Sequence, residues 1–417
     1  MTEISDILLS EIRARLGADF PARLGIAVSG GGDSVALLHL LKDIAGQKQV
    51  ALFVATVDHG LRPESSTEAD WVAQQAKSLG VPHETLIWNN WDGRGNLQDR
   101  ARQERYGLLA DWARRNDLGA IALGHTADDQ AETILMRLGR AAGVTGLSGM
   151  ADSIKRNGAT FLRPMLGVTG LQLRDYLTEI GVDWIEDPSN HDMRFDRIKA
   201  RDALKSLGGL GISAQSLTRV AQNLARADEA LALYTQDSAR QVLVADTGAV
   251  CCDQAGFAAL PAEVQRRLVL GSLAWIAGPG YPPRHTATEQ AIEAIELAKP
   301  GTIGGCILIP KGNKTWICRE LNAVKEMRCE IGQDWDDRWV LTGPSAPNAT
   351  IAPLGDAGLR SVSEWRALGK PREVLVSSPA VWDGETLLSA PLAGFTNGWQ
   401  AELTAERSDF HSSFLSH

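Results

Sequence analysis

The chain has 417 residues, a length that predicts two or three domains, and its 44% hydrophobic and 22% charged residues are typical of a soluble globular protein. No run of about 18 apolar residues predicts a membrane span, and the acidic N-terminus lacks the pattern of a signal peptide. The net charge of −9 argues against a generally basic, nucleic-acid-coating surface, although it is compatible with a local basic patch.

The cysteines indicate a reducing compartment. Five is an odd number, and none of them stands in a C-x-x-C pair: Cys251, Cys252, Cys306, Cys318 and Cys329. This pattern predicts reduced thiols in the cytoplasm and disfavours a zinc or iron–sulfur site.

Strands and helices alternate over residues 1–205, the first predicted domain. Helices are predicted over 2–16, 34–45, 67–79, 96–116, 126–138 and 168–180, and strands over 24–28, 50–57, 81–88 and 119–124. The alternation predicts a doubly wound α/β fold, a parallel sheet covered by helices on both faces. In such sheets ligands bind beyond the carboxyl ends of the strands.

A glycine-rich stretch, Ser29-Gly30-Gly31-Gly32-Asp33-Ser34, joins the first strand to its helix. Three glycines at a strand-to-helix turn present backbone N–H groups to an anion, so the stretch predicts a phosphate site. It has no lysine where a Walker A loop needs one, and Val35 stands where a dinucleotide fingerprint needs glycine. A carboxylate beside phosphates calls for a divalent cation, so Asp33 is a candidate Mg²⁺ ligand. The alternative is that Asp33 or Ser34 only caps the helix.

A second polar group follows the fourth strand. His125, Asp128, Asp129 and Glu132 have the spacing of adjoining positions on one helical face. They predict a second cationic centre, either a metal or a substrate amine, and would also suit a metal-dependent phosphohydrolase. Alternatively, the carboxylates only complement the helix N-terminus. Asp58-His59, after the second strand, is either a ligand pair or an ordinary turn.

Basic residues crowd the end of this first domain. They either contact a phosphate backbone or lie on solvated helix faces: Arg137, Arg140, Arg163, Arg194, Arg197, Lys199 and Arg201.

The pattern changes after a hinge-like break at 208–211. Residues 206–325 predict a mainly helical domain, with helices around 217–231, 264–275 and 286–298 and a hairpin joining 307–309 to 315–317. Residues 330–417 combine short apolar runs with Gly, Pro and Asp turns, which predicts a small α+β or β-rich C-terminal domain.

The glycine-rich stretch resembles the SGGxDS pyrophosphate loop (PP-loop) of the N-type ATP pyrophosphatases, whose nucleotide domain is Rossmann-like. Further segments, in order, resemble the tRNA(Ile)-lysidine synthase family: 57–62, 96–98, 101–102, 105–106, 127–133, 163–164 and 186–190. The match is dense over 24–201 and weaker beyond. The chain departs from the family pattern in two places, because Arg140-Ala141-Ala142-Gly143 replaces Arg-Gly-Ser-Gly and Ile198 replaces an asparagine.

The resemblance implies a two-step reaction at cytidine 34 in the CAU anticodon of tRNA(Ile). The cytidine O2 attacks the α-phosphate of ATP, which gives an adenylated base and diphosphate. The ε-amine of free L-lysine then displaces AMP at C2. ATP is a substrate and Mg²⁺ the cofactor in this scheme. The two later domains would bind the tRNA, the enzyme would be cytoplasmic, and it could form a homodimer.

The resemblance also implies roles for single residues. Asp33, His125 and Asp129 would be catalytic, with Asp33 on Mg²⁺ and His125 as a proton acceptor. The lysine would be bound by Glu132 and Asn190, with help from Asp129. The tRNA would be bound by Arg105, Arg197 and Arg201. ATP would be bound by Ser29, Gly30, Gly31, Gly32, Asp33, Ser34, Val57, Arg102 and Gly124.

Three other functions share part of this pattern. A tRNA thiolase would need catalytic cysteines in or near the nucleotide domain, whereas every cysteine here lies at or beyond residue 251. An amidotransferase would need a glutaminase domain, which the sequence does not predict. A non-catalytic nucleotide or tRNA sensor would need the glycines but not Asp33, Glu132 and Asn190 together.

Overall fold

The structure is a computed structural model that describes residues 3–17, 20–60, 64–88, 97–186, 196–278, 283–405 and 407–415; of residues 98 and 99 it describes only the backbone. The chain divides into two compact units, Met1–Asp228 and Glu229–His417. The predicted domain boundaries near 205 and 330 stay predictions. No helix in the described ranges is both long and apolar enough to cross a membrane.

The first unit is an α/β domain. Its elements are α1 (Glu3–Leu16), β1 (Arg23–Ala27), α2 (Gly32–Lys48), β2 (Ala51–Asp58), α3 (Ser65–Ser78), β3 (His83–Ile87), α4 (Leu97–Arg115), β4 (Ala120–Leu123), α5 (Ala127–Leu138), α6 (Val144–Leu147), β5 (Ser153–Arg156), β6 (Ala159–Leu162), α7 (Gly170–Glu179), α8 (Asp196–Leu207) and the first half of α9 (Ala214–Val242). The strand order is β3-β2-β1-β4-β6-β5, parallel except for β5 at the edge. The predicted doubly wound α/β fold is confirmed.

The two faces of this sheet are covered by different helices, as the alternation along β1 requires. Leu24 and Ile26 are fully buried in a cluster with residues of α1, α2 and α7. Gly25 faces the other way, where a Cβ would come within 2.6 Å of the Trp112 ring of α4. A side chain at this position would therefore push α4 off the sheet.

The first unit contains two elements that the sequence pattern did not predict and one break that it did. Helix α8 and the β5–β6 hairpin were not predicted. The turn of the hairpin is Asn157-Gly158, both with positive φ, and this dipeptide is the signal that could have identified it. The predicted break at 208–211 is confirmed, since α8 ends at Leu207 and Gly211 adopts a left-handed conformation with φ +76°.

The second unit is richer in strands than predicted. It contains the rest of α9, β7 (Leu243–Asp246), β8 (Ala249–Asp253), α10 (Gln254–Ala258), α11 (Ala262–Ala277), α12 (His285–Glu296), β9 (Gly301–Ile303), β10 (Cys306–Lys311), β11 (Lys314–Arg319), α13 (Leu321–Val324), β12 (Cys329–Glu330), β13 (Trp339–Thr342), β14 (Thr350–Pro353), α14 (Gly355–Ser361), α15 (Arg372–Val376), β15 (Pro379–Asp383), β16 (Thr386–Ser389) and β17 (Gln400–Leu403). The three predicted helices and the β10–β11 hairpin are present, but the hairpin belongs to a five-stranded antiparallel sheet, β7-β8-β11-β10-β9. The β-rich C-terminal region is confirmed, with sheets β12-β14-β15-β16 and β13-β17.

Candidate active site

The glycine-rich loop is an internally bonded turn between β1 and α2. Helix α2 begins at Gly32, its N-cap is Gly31, and no side chain caps it, so the alternative in which Asp33 or Ser34 is the cap is wrong. The Ser34 hydroxyl donates to the Gly31 carbonyl at 2.9 Å and accepts from the Ser29 N–H at 3.1 Å. These bonds fix the loop's shape and leave the start of α2 open toward an anion.

Two glycines let the loop adopt this shape. Gly30 has φ +91°, and a Cβ there would lie 2.7 Å from Ile185 Cδ1. Gly124 follows β4, and a Cβ on it would lie 3.1 Å from Ser34 Cα and 3.2 Å from Ser34 N. The end of β4 therefore packs directly on the start of α2. The predicted role of Gly124 in binding ATP stays a prediction.

Asp33 has the environment of a cation ligand. Its Oδ1 is buried and has no hydrogen-bond partner among the described residues. Burial, followed by the charges of Asp129 and Asp128, raises the pKa of Asp33 to about 6, against the opposing effect of Arg174 and Arg201. A divalent cation would give Asp33 Oδ1 a partner and would offset the repulsion among the carboxylates of Asp33, Asp128 and Asp129. The described residues contain no cluster of three or more His, Cys, Asp or Glu able to hold a metal. The predicted role of Asp33 as a Mg²⁺ ligand stays a prediction.

Two carboxylates at the start of α5 also have structural roles. Thr126 and Asp129 form a capping box, in which the Thr126 N–H donates to Asp129 Oδ2 at 2.9 Å and the Asp129 N–H to Thr126 Oγ1 at 3.5 Å. Asp128 Oδ2 accepts the N–H of Gly170, the first residue of α7, at 2.7 Å. Asp129 therefore complements the N-terminus of its own helix, α5, whereas Asp128 complements that of α7. The other oxygen of Asp129, Oδ1, lies 3.9 Å from Arg197 Nη1.

Glu132 and Arg201, predicted for lysine and for tRNA, contact each other. Arg201 Nε and Nη2 lie 2.8 and 2.7 Å from Glu132 Oε1, while Glu132 Oε2 is buried without a partner among the described residues. The Glu132 side chain is 2% exposed and that of Arg201 42%. Burial raises the pKa of Glu132, and Arg201 opposes this shift.

His125 lies among arginines. Burial, and then the charges of Arg163, Arg105, Arg102 and Arg197, lower its pKa to about 3. Its Nδ1 is buried without a described partner. The imidazole is therefore neutral at pH 7, but so low a pKa makes it a weak base in the ligand-free protein. Its predicted role as a proton acceptor stays a prediction.

Two of these arginines, together with Arg156, lie around the ring of Tyr106. The guanidinium carbons of Arg102, Arg105 and Arg156 lie 5.7, 5.9 and 4.5 Å from its ring centroid. Two of these three residues, Arg102 and Arg105, were predicted to bind ATP and tRNA.

Val57 and Asp58 lie at the carboxyl end of β2. Val57 lies half-buried near the end of β2, and Asp58 accepts from the Gly60 N–H and the Ser65 hydroxyl at 2.9 and 2.6 Å, as a turn residue does. Asn190 and Arg194 lie outside the described residues. Ile198, one of the departures from the family pattern, is 8% exposed and packs within the protein.

The other departure, at 140–143, forms a turn in which Ala141 has φ +53°. The structure also adds Arg174, on α7 beside Asp33, which the sequence analysis missed. The signal that could have identified Arg174 is a basic residue one helical turn after Gly170, the glycine that begins α7.

Comparison with known proteins identifies the family. Residues 6–207 match a family model described as a PP-loop domain. The tRNA(Ile)-lysidine synthase of Ruegeria pomeroyi is 52% identical over 410 residues, 98% of each chain. Proteins of the same name from Wolbachia pipientis wMel and Rhodopseudomonas palustris are 36% and 42% identical, over 80% and 68% of this chain and 80% and 84% of their own. The chain therefore belongs to the tRNA(Ile)-lysidine synthase family.

Proposed function

We propose that this protein ligates L-lysine to C2 of cytidine 34 in the CAU anticodon of tRNA(Ile), converting ATP to AMP and diphosphate. The observation that carries the proposal is the convergence of three features at one end of the parallel sheet: the glycine-rich loop, the Asp33 carboxylate, whose Oδ1 has no partner among the described residues, and the acidic start of α5. The proposal is also supported by the 52% identity to a tRNA(Ile)-lysidine synthase over nearly the whole chain.

In the first step the cytidine O2 forms a bond to the α-phosphorus of ATP, and the bond between the α-phosphorus and the departing diphosphate breaks. The backbone N–H groups at the start of α2 would bind the diphosphate, and the absence of side chains at Gly30 and Gly124 permits the packing that holds the loop in place. When bound, Mg²⁺ would offset the negative charge that gathers on the leaving group. Asp33 would hold it, and Arg102 would contact the nucleotide.

In the second step the ε-nitrogen of lysine forms a bond to C2, and the C2–O2 bond breaks to release AMP. Glu132 is suited to bind a lysine ammonium group because Oε1 is occupied by Arg201 whereas Oε2 has no described partner. Asp129 Oδ1 offers a second acceptor, and Asn190 would complete the set. The attacking amine must lose a proton, and His125 would be the acceptor. Because its pKa is about 3 without ligands, bound phosphates would have to offset the surrounding arginines and raise that pKa for the imidazole to act as a base.

The tRNA would bind through Arg105 and Arg197 in the first unit and through the second unit. An unpaired anticodon loop keeps the cost of unstacking the target base low. The chain's net charge of −9 implies that this contact is local rather than spread over the surface. Cytoplasmic location and a homodimer remain predictions, the latter checked by light scattering during gel filtration.

Purified protein, Mg-ATP, lysine and unmodified tRNA(Ile) should yield AMP and lysidine in equal amounts. Omitting lysine should stop lysidine formation, and a tRNA with guanosine at position 34 should give neither product. Release of ADP, or no lysine-dependent product, would contradict the proposal. Sulfur transfer is disfavoured because Cys251, Cys252, Cys306, Cys318 and Cys329 all belong to the second unit, and all but Cys329 are buried.

A further inference from the structure

Three charged side chains converge on one point at the start of α7. A Cβ built on Gly170 would lie 3.3 Å from Asp33 Oδ1, 3.4 Å from Asp128 Oδ2 and 3.5 Å from Arg174 Nη2. Arg174 Nη2 is therefore within about 7 Å of both carboxylate oxygens, a separation over which charges interact. The three residues come from α2, α5 and α7, so the convergence is a product of the fold.

The Arg174 guanidinium is available to bind a ligand. Its side chain is exposed, and it forms no hydrogen bond or ion pair with a described residue. Arg201, the other arginine that acts electrostatically on Asp33, is held by Glu132 through two nitrogens. Arg102, Arg105, Arg163 and Arg197 instead surround His125.

The phosphate loop needs such a charge. Residues 29–34 contain no lysine or arginine, and Asp33 adds a negative charge beside the proposed triphosphate. The position of Arg174 is fixed, because Thr169 and Gln172 form a capping box at the start of α7 and Asp128 accepts the Gly170 N–H. Arg174 lies one turn from the start of α7, so its long side chain can reach the loop.

We propose that Arg174 binds the β- and γ-phosphates of ATP and then the departing diphosphate. The inference rests on the proposed function, and extends it by assigning the protein's own cation for the leaving group. A guanidinium can donate two parallel hydrogen bonds to phosphate oxygens, and the contact strengthens as charge gathers on the diphosphate. Absence of a side chain at residue 170 keeps the path between Arg174 and the loop open.

Calorimetry on the full chain tests the proposal without tRNA or lysine. Arg174→Gln should weaken the binding of inorganic diphosphate with Mg²⁺, and of Mg-ATP, by about tenfold or more, since a charge-assisted bond to phosphate contributes at least 1.4 kcal/mol. The binding of AMP should not change, and Arg174→Lys should recover part of the loss. Arg114→Gln, at an exposed arginine of α4 paired with Asp111, is the matched control and should bind all three ligands normally.

Equal diphosphate affinity in the Arg174→Gln and unaltered proteins would overturn the inference, as would an equal loss of AMP affinity. Thermal unfolding should change little in the variant, because Arg174 is exposed and its interaction with the nearby carboxylates is screened by water. These results are separate from the proposed function, since a protein that binds diphosphate through Arg174 but makes no lysidine would refute only the latter.

Discussion

The Glu132–Arg201 pair gives a quantitative prediction for protein stability. In Arg201→Leu the Glu132 carboxylate, 2% exposed, would lose the cation bound to its Oε1. Removing one partner of a fully buried pair costs 3–5 kcal/mol in other proteins, roughly the penalty of an uncompensated charge. Because Arg201 is 42% exposed and its charge is partly screened by water, we expect about 2 kcal/mol at pH 8.

The same loss should shrink at low pH. Burial already raises the pKa of Glu132 in the native protein above its ordinary value of 4.5, and Arg201 opposes that shift. Without Arg201 the native pKa rises further, whereas the unfolded value stays the same. A carboxyl group whose native pKa exceeds the unfolded one costs stability as the pH rises from the unfolded toward the native value. The variant should therefore be closer to the unaltered protein at pH 5 than at pH 8.

Hydrogen exchange of the α5 amides, read by mass spectrometry and corrected for intrinsic rates, measures the local opening free energy at each pH. This readout does not require the whole chain to unfold in one step. Lys205→Leu is the matched control, because Lys205 lies on α8, the helix that carries Arg201, and pairs with an exposed Asp202. Losing this pair should cost less than about 0.5 kcal/mol. An Arg201→Leu effect that is equal at both pH values would refute the reasoning.

Three further predictions concern the loop and the histidine. Gly30→Ala should lower stability by about 1–2 kcal/mol, because the φ of +91° and a contact of 2.7 Å with Ile185 would both strain an alanine at this position. The control variant Gly31→Ala should unfold at the same temperature as the unaltered protein. Equal thermal midpoints for the two variants would contradict this prediction. Asp33→Asn should abolish AMP formation with unchanged or slightly higher thermal stability, since burial and neighbouring carboxylates oppose its charge, and full activity would remove its metal role. His125 keeps a native pKa of about 3 against 6.5 when unfolded, so its contribution to stability is complete above pH 6.5 and is lost as the pH falls toward 3. Between pH 7.5 and 5, His125→Asn should lose about 2 kcal/mol less stability than the unaltered protein, and identical pH slopes would exclude this effect.

Local signals predicted much of the first unit. Apolar periodicity located β1–β4 and their helices, and the Thr169–Gln172 pattern correctly predicted the start of α7. The glycines of the loop indicated its position between β1 and α2, since only a chain with positive φ at Gly30 can make that turn. The start of α5 near Thr126 was likewise predicted from the local residue pattern.

The pairing of charges could not be read from the sequence. Glu132 and Arg201 are 69 residues apart, and their contact exists because α8 packs on α5. The spacing of His125, Asp128, Asp129 and Glu132 suggested a shared face, but the partners of Asp128 and Glu132 lie on α7 and α8. Arg174 was missed for the same reason, as its neighbours Asp33 and Asp128 come from other elements.

The capping box at Thr126 and Asp129 has a consequence for recognition. Because hydrogen bonds hold the first turn of α5 in place without any ligand, His125 and Glu132 are positioned in advance. A small molecule that binds there would need to immobilise little of the protein, so little of its intrinsic affinity would be lost to ordering. Replacing Thr126 by valine should therefore leave the contacts of such a molecule intact and make its binding entropy less favourable.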